Sequence, residues 1–320
     1  MRRVALIYNP ASGQRPERRA AAIAEVAAVL RGAGVEVKAI ATESPESAGT
    51  QAHAAMEEGY DTILACGGDG TVHEALQRLV GGTAALGVVP VGTANALAAD
   101  LGLPASPVKA AKMLLTATPK RVSVGQVFYR DLEGNARSRY FIVAAGVGAD
   151  ALFMSRLDPK SKQRFGYALY VVEAFRLWVA YSYPMFRARF QESGNPTPRV
   201  EEVSQILAVR IANFGGVLGN LAPGAAIVSR NLQVIALKTR SRLRYLRFII
   251  AVLLRRHRYA SPIELVDCES VECSGLEGPP EELFVEADGE WLGTLPVRME
   301  VASEALTLLV PQKTLARRKL

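Results

Sequence analysis

Residues 62–71 read Thr-Ile-Leu-Ala-Cys-Gly-Gly-Asp-Gly-Thr, and Val72, His73 and Glu74 follow. The apolar run Thr62–Cys66 predicts a buried strand, the glycines a tight turn, and the segment from Thr71 a helix. This order suits an anion such as the phosphates of a nucleotide. Gly67, Gly68 and Gly70 let backbone N–H groups approach and turn toward it, and the helix start adds its positive dipole end. Asp69 is the discordant residue. An acid inside an anion cradle makes sense beside a cation such as Mg2+, or where a proton is exchanged.

Working outward, the first 120 residues alternate short β-branched runs with amphipathic segments. Strands are predicted at 4–8, 35–40, 62–66 and 86–89. Helices are predicted at 17–31, 45–58 with Ser44 as cap, 71–80, 94–100 and 108–115. This alternation argues for a parallel sheet covered on both faces. Ligands of such sheets bind at the carboxyl ends of the strands. Three turns with glycine fall there: Asn9–Gly13, Gly67–Thr71 and Gly92–Asn95. From about Arg121 the rhythm changes to strands at 121–129, 139–146, 185–191, 203–212, 232–238, 262–267, 282–287, 296–302 and 306–310. Helical segments near 161–182 and 241–257 interrupt them. This pattern reads as a mainly antiparallel β-sandwich with inserted helices. The expected division is 1–123, 124–310 and a basic tail 311–320, with a return of the tail to the first domain left open.

Bulk properties narrow the class. A chain of 320 residues has room for two cores. The N-terminal apolar run breaks at Asn9-Pro10, before a signal-peptide core forms. The most apolar stretch, Tyr245–Leu254, contains Arg247 and is about half the ~20 residues of a membrane span. Cys66, Cys268 and Cys273 have no metal-ligand spacing, which fits a reduced, cytoplasmic setting. The net charge of +7 is local: residues 238–258 hold eight basic residues and no acid. That distribution is not the footprint of a nucleic-acid binder.

Asn9-Pro10-Ala11-Ser12-Gly13, Gly67-Gly68-Asp69-Gly70-Thr71 with Glu74, and Pro90-Val91-Gly92-Thr93-Ala94-Asn95 stand in a familiar order. Together they resemble the catalytic domain of the diacylglycerol kinase and sphingosine kinase family, especially its soluble bacterial lipid kinases. Gly146-Val147-Gly148-Ala149-Asp150-Ala151, the glycine-rich Asn213–Ala225 segment and Asp288-Gly289-Glu290 extend the resemblance over nearly the whole chain. It implies an N-terminal domain similar to NAD kinase and phosphofructokinase, a C-terminal β-sandwich, and an active site in the interdomain cleft.

It also implies the chemistry: ATP as donor, Mg2+ as cofactor, and a lipid hydroxyl of diacylglycerol or a relative as acceptor, a step of phospholipid metabolism. On that reading Gly67, Gly68, Gly70 and Thr71 cradle phosphates and Asp69 orients Mg2+. Asn9, Pro10, Ser12, Gly13, Thr42, Thr93 and Asn95 contact the nucleotide, and Glu290 takes the proton of the alcohol. Structural alternatives stand beside these roles: a strand exit at Asn9-Pro10, a helix cap at Thr93 and Asn95, a plain hairpin at Asp288–Glu290, and a hydrogen bond for Asp150. Glu74 reads as a complement to its helix dipole, and His73 and Cys66 as packed residues.

Two departures from the family pattern matter. Ala96 stands where many members carry Asp. Some bacterial members hold a structural Mg2+ through Asp-Gly-x-Leu-Asp, and here Ser229-Arg230-Asn231-Leu232-Gln233 has lost both acids, so that site is expected to be absent or altered. In residues 241–258, an apolar stripe of Leu243, Leu246, Ile250 and Leu253 runs beside Arg244, Arg247, Arg255 and Arg258, with Arg256 adjacent. Two readings stay open: a peripheral contact with membrane at its inner face, or an apolar stripe packed on the sandwich with the arginines in water. The rival functions are an NAD kinase and a non-catalytic lipid or nucleotide sensor. The lipid's identity and the oligomeric state are not legible.

Overall fold

In a computed structural model of the chain, the described residues are 1–10, 16–44, 46–156, 176, 178–215, 219, 221–254, 263–276 and 283–318. The chain divides into two compact units. The first comprises Met1–Val124, Phe214–Gly216 and Ser303–Leu320, and the second Gly125–Asn213 and Val217–Ala302.

In the first unit, strands β1 (Arg3–Tyr8), β2 (Glu36–Ala41), β3 (Thr62–Gly67) and β4 (Ala85–Pro90) alternate with helices α1 (Pro16–Gly32), α2 (Ser47–Glu57), α3 (Asp69–Leu79), α4 (Ala96–Asp100) and α5 (Pro107–Leu114). The strands pair in parallel in the order β2-β1-β3-β4. Helix α1 packs with α5, and α2 with α3. The central strands β3 and β4 are buried at every residue, which is why they read as continuous apolar runs. Edge strand β2 is mostly exposed. The expected cap of α2 is not Ser44. The turn is closed by Ser47, whose Oγ donates to the Ser44 carbonyl at 2.9 Å and accepts from the Glu43 amide at 3.0 Å.

The last part of β15 (Glu290–Val310) adds a fifth parallel strand, Thr307 and Leu308 pairing with Ala85 and Leu86. Residues 303–310 therefore belong to the first unit, where the sequence reading had ended the second domain at 310. The reason is burial: Leu306, Leu308, Leu309 and Val310 complete this unit's core. The same unit holds the tail. Helix α8 (Gln312–Arg318) is tied by Thr314 Oγ1, which donates to the Leu101 carbonyl at 2.5 Å.

The second unit is antiparallel. It contains β5 (Thr118–Arg130) from Gly125 onward, β6 (Ala136–Phe141), β7 (Ala144–Val147), β8 (Phe186–Gln191), β9 (Arg199–Val203), β10 (Gln205–Val209), β11 (Leu232–Leu237), β12 (Ile263–Cys268), β13 (Ser270–Ser274), β14 (Phe284–Ala287) and the start of β15. The order is β12-β11-β10-β7-β14-β15-β13-β8-β9, with β5 and β6 as a hairpin. Inward residues of all these strands, among them Phe141, Phe186, Phe190, Ile206 and Val234, close over one core. Helices α6 (Ala149–Arg156) and α7 (Arg242–Leu253) are inserted. The helix predicted at 161–182 lies mostly outside the described residues; 178–180 are helical.

Two predicted strands are each split by a polar requirement. The run 203–212 breaks at buried Ser204, whose hydroxyl lies 2.6 Å from the Thr239 carbonyl and 3.0 Å from the Tyr245 hydroxyl. The run 139–146 breaks at Ile142 and Val143, whose amides serve Asp288. Strand β13 is not anticipated, because a single residue, Glu269, separates it from β12. No helix among the described residues is long and apolar enough to cross a membrane.

Candidate active site

In the first unit, parallel pairing brings the ends of β1 to β4 to one edge. Tyr8 pairs with Ala41 and Cys66, and Gly67 pairs with Pro90. Asn9, Thr42, Gly68 and Gly92 therefore follow the strands at that edge. Thr42 is buried, and its amide donates to the Tyr8 carbonyl at 2.8 Å. Asn9 and Pro10 are held by Arg19 of α1, a buried guanidinium that donates to the Pro10 carbonyl at 2.7 Å. Its burial shifts the Arg19 pKa downward. Sequence reasoning missed Arg19; an arginine inside an alanine-rich helix is the available signal. Ser12 and Gly13 lie outside the described residues.

The second and third turns form one body. The amides of Val91 and Gly92 both donate to the Gly67 carbonyl, at 3.0 and 3.2 Å. Asp69 completes the join: Oδ2 accepts from the Asn95 amide at 3.0 Å and Oδ1 from the Ala96 amide at 2.7 Å. The carboxylate thus sits at the start of α3 and against the first amides of α4. Asn95 is left-handed (φ 52°), a conformation that Asn tolerates. Its side chain closes its own turn, Nδ2 donating to the Gly92 carbonyl at 2.7 Å and Oδ1 accepting from the Gly92 amide at 3.1 Å. Asn95 makes no side-chain cap bond, so its place here is to shape the turn. Thr93 is exposed on the same turn, and Gly70 is exposed at the helix start, while Thr71 is buried.

The glycines are not equivalent. A methyl on Gly92 would lie 2.4 Å from the Gly68 Cα, backbone against backbone, whereas a methyl on Gly68 would lie 3.5 Å from the Gly92 Cα. Gly92→Ala is expected to destabilise the protein by about 2–3 kcal/mol, and Gly68→Ala by less than about 1 kcal/mol. Paired thermal melts of the two variants check this; equal losses would contradict the close approach.

In the second unit, Asp288 and Gly289 form the hairpin between β14 and β15, with φ of 50° and 86°. The Asp288 carboxylate accepts three amides, from Ile142 at 3.0 Å, Val143 at 2.9 Å and Ala144 at 3.1 Å. Glu286 Oε2 accepts the Gly289 amide at 2.8 Å. The turn that carries Glu290 is therefore fixed from two sides. Glu290 itself is part-exposed, with Arg139 Nη1 3.8 Å from its Oε2.

Two further acids were missed as a pair. A methyl on Gly146 would sit 2.0 Å from Asp150 Oδ2 and 3.1 Å from Glu286 Oε1, so glycine leaves the space both carboxyls occupy. Asp150 Oδ1 accepts its neighbour's amide, from Ala151 at 2.9 Å. Burial pushes the Asp150 carboxyl up to about 6. Burial, then the Asp150 charge, pushes Glu286 well above the usual carboxylate range. Folded acids with raised pKa bind protons that the unfolded chain has released. Their contribution to stability is therefore present below the unfolded pKa and lost as pH rises toward 6 and beyond. Glu286→Gln is expected to flatten this dependence, raising the melting temperature at pH 8 by roughly 3–6 °C with little change at pH 4.5. A wild-type Tm that rises from pH 5 to pH 8 and a variant that follows it would refute the assignment.

The sequence profile of the diacylglycerol kinase catalytic domain matches residues 3–127, and that of the YegS C-terminal NAD kinase beta sandwich-like domain matches residues 142–310. The chain belongs to the diacylglycerol kinase family. A diacylglycerol kinase of Bacillus subtilis is 27% identical over 302 residues, covering 92% of each chain. One of Mycobacterium tuberculosis is 27% identical over 330 residues, covering 97% of this chain and 96% of that one. Among solved structures, a diacylglycerol kinase from Bacillus anthracis superposes with a TM-score of 0.73 at 20% identity, covering 97% of each chain. A yeast NADH kinase shares the fold at a TM-score of 0.53 and 10% identity, covering 96% of this chain and 82% of that one. Family membership makes this chain a kinase, with an α/β unit of parallel strands and a β-rich second unit.

The Ser229–Gln233 segment matches the one expected to hold a structural metal in some relatives. The residues here do not suit one. Gln233 Oε1 accepts the Gly224 amide at 2.9 Å, and the fully buried Arg210 fills the loop. Its guanidinium donates to the carbonyls of Asn231 at 2.6 Å, Ser229 at 2.7 Å and Ile227 at 3.4 Å. Carbonyl oxygens are what a hard cation takes, and here the cation is the side chain. Burial lowers the Arg210 pKa to about 10, with Asp267 opposing the shift, so it stays charged at neutral pH. Arg210→Met is expected to cost about 3 kcal/mol by stranding these carbonyls. Urea unfolding measures that cost. A chelator should leave the wild-type melt unchanged; a chelator-induced drop would restore the metal site. An arginine within the apolar run 206–211 is the sequence signal for this arrangement.

Proposed function

We propose that this kinase transfers the γ-phosphate of ATP to a hydroxyl of diacylglycerol or a related lipid. The observation that carries the donor half is the Asp69 carboxylate, which belongs to the Gly67–Thr71 turn and accepts the Asn95 and Ala96 amides at the start of α4. That bridge sets the two glycine turns in one register before any ligand arrives, and preorganisation of this kind is what phosphoryl transfer requires of the protein. The turn amides and the α3 N-terminus would hold phosphate oxygens, with Asn9, Thr42 and Thr93 placed at the same sheet edge.

Asp69 suits Mg2+ delivered with the nucleotide: it is a carboxylate at the phosphate-cradling turn, and a carboxylate oxygen that accepts an amide can also accept from a metal-bound water. The metal would supply neutralisation of charge on the transferring phosphate. Glu290 would accept the proton of the lipid alcohol, on a turn held by Asp288 and Glu286. The acceptor half rests on membership of the family and on this anchored carboxylate. We place the protein in the cytoplasm, where its three free, buried cysteines stay reduced.

Binding separates this reading from the NAD kinase reading, and turnover separates it from a sensor. MgATP at a hundredfold excess over its Kd should stabilise the fold by about 2.7 kcal/mol, and NADH should not. Stabilisation by NADH alone would overturn the donor assignment.

A further inference from the structure

Helix α7 (Arg242–Leu253) carries two opposite faces. One is an anchor: Tyr245 and Val252 are buried seven residues apart on one side of the helix. The Tyr245 hydroxyl lies 3.0 Å from Ser204 Oγ, and its ring packs on Tyr183 at 4.0 Å between centroids. The other face looks outward and is not polar. Leu243, Ile250 and Leu254 are 60%, 46% and 64% exposed, and Arg247 lies among them, with Arg242 and Arg244 exposed beside them. Of the stripe read from the sequence, Leu243 and Ile250 are exposed and Leu246 is half-buried, so these side chains supply little of the packing on the second unit. Tyr245 and Val252 do that work instead.

The patch extends past the helix. Trp178 Nε1 donates to the Arg242 carbonyl at 2.9 Å, and its neighbour Val179 is 45% exposed. Val179, Leu243, Ile249, Ile250 and Leu254 are five of the ten exposed large hydrophobic residues among those described. Clustering of that kind marks a surface that is covered in use. Residues 238–258 contain no acid, and Arg242, Arg244 and Arg247 form no ion pair among the described residues. Exposed aliphatics and arginines on one helix, with an indole from a neighbouring segment beside it, are the composition of a surface that lies in the headgroup region of an anionic bilayer.

We propose that the outward face of α7, with Trp178 and Val179, docks this kinase on anionic lipid. The proposal draws its purpose from the reading that the acceptor is a membrane lipid. Of the arginines flagged from sequence, Arg244 and Arg247 belong to this face; Arg255, Arg256 and Arg258 lie outside the described residues.

The test is co-sedimentation of the full chain with vesicles of phosphatidylcholine, alone or with a one-third share of phosphatidylglycerol. Wild type should bind the mixed vesicles, and salt should weaken binding. Arg244→Glu with Arg247→Glu should lower partition by at least about fivefold for each arginine, since reversal both removes an attraction and adds a repulsion. Leu243→Ser with Ile250→Ser should also lower it, with melting temperatures unchanged because these side chains are exposed. Reversal of Arg187 and Arg189, exposed in an open groove elsewhere on the second unit, should have no effect. In a Trp291→Phe chain, Trp178 emission should shift to the blue on mixed vesicles. Equal binding to both vesicle types, intact binding by the α7 variants, an effect confined to the groove, or a solution dimer split by Leu243→Ser would each overturn the proposal. Binding is read without turnover. Its failure leaves the kinase reading standing, and a failure to phosphorylate lipid leaves the docking result standing.

Discussion

Asp69→Asn is expected to lower kcat/KM for ATP-dependent phosphorylation by about a thousandfold while the protein stays folded. The substitution keeps the size of the side chain but replaces one acceptor oxygen with an NH2 group. One of the two amides now bound, Asn95 or Ala96, then faces a donor. An unsatisfied amide costs about 1–3 kcal/mol locally, within the stability of a chain this size. The catalytic loss is larger, because the join between the Gly67–Thr71 and Gly92–Asn95 turns is loosened and the negative charge that would organise Mg2+ is gone. A displacement of about 1 Å at such a site is worth roughly a hundredfold. Steady-state kinetics beside a thermal melt separate the effects. Activity within tenfold of wild type would mean that Asp69 only shapes the loop.

Glu290→Gln is the second large effect, a fall in kcat of about 10²- to 10⁴-fold with KM for ATP little changed. Glutamine preserves the shape, and the turn beneath it is held by Asp288 and Glu286, neither of which is altered. What disappears is the acceptor for the alcohol proton. Partial recovery of rate at high pH, where hydroxide substitutes for the base, distinguishes this role from a structural one. A variant with wild-type kcat would remove Glu290 from the chemistry.

The fold was legible to the extent that its determinants are local. Thr62–Cys66 followed by three glycines announces a strand, turn and helix because each step follows from neighbouring residues, and the same holds for Leu86–Asn95. The parallel sheet follows from that repetition. The partners of Asp69 lie 26 and 27 residues downstream, and those of Asp288 lie 144–146 residues upstream. No spacing rule reveals such bonds.

Buried charges tell the same story. Arg210, Glu286 and Arg19 each sit in an apolar or alanine-rich run, which signals that a partner exists without naming it. The break at Ser204 and the return of 303–310 to the first unit are likewise decided by tertiary pairing. The outward face of α7 was readable as amphipathic, but not which side faced water, because Tyr245 and Val252 compete with Leu243 and Ile250 for burial.

The most direct test is the transfer itself. Purified protein is incubated with γ-labelled ATP, Mg2+ and dioleoylglycerol in mixed micelles, beside parallel reactions with other lipid alcohols and with NAD. The expected result is label in the organic phase as a phosphorylated lipid, dependent on Mg2+ and absent from the Asp69→Asn and Glu290→Gln proteins. Label appearing on NAD, or no lipid product from a folded protein that binds MgATP, would contradict the proposed function.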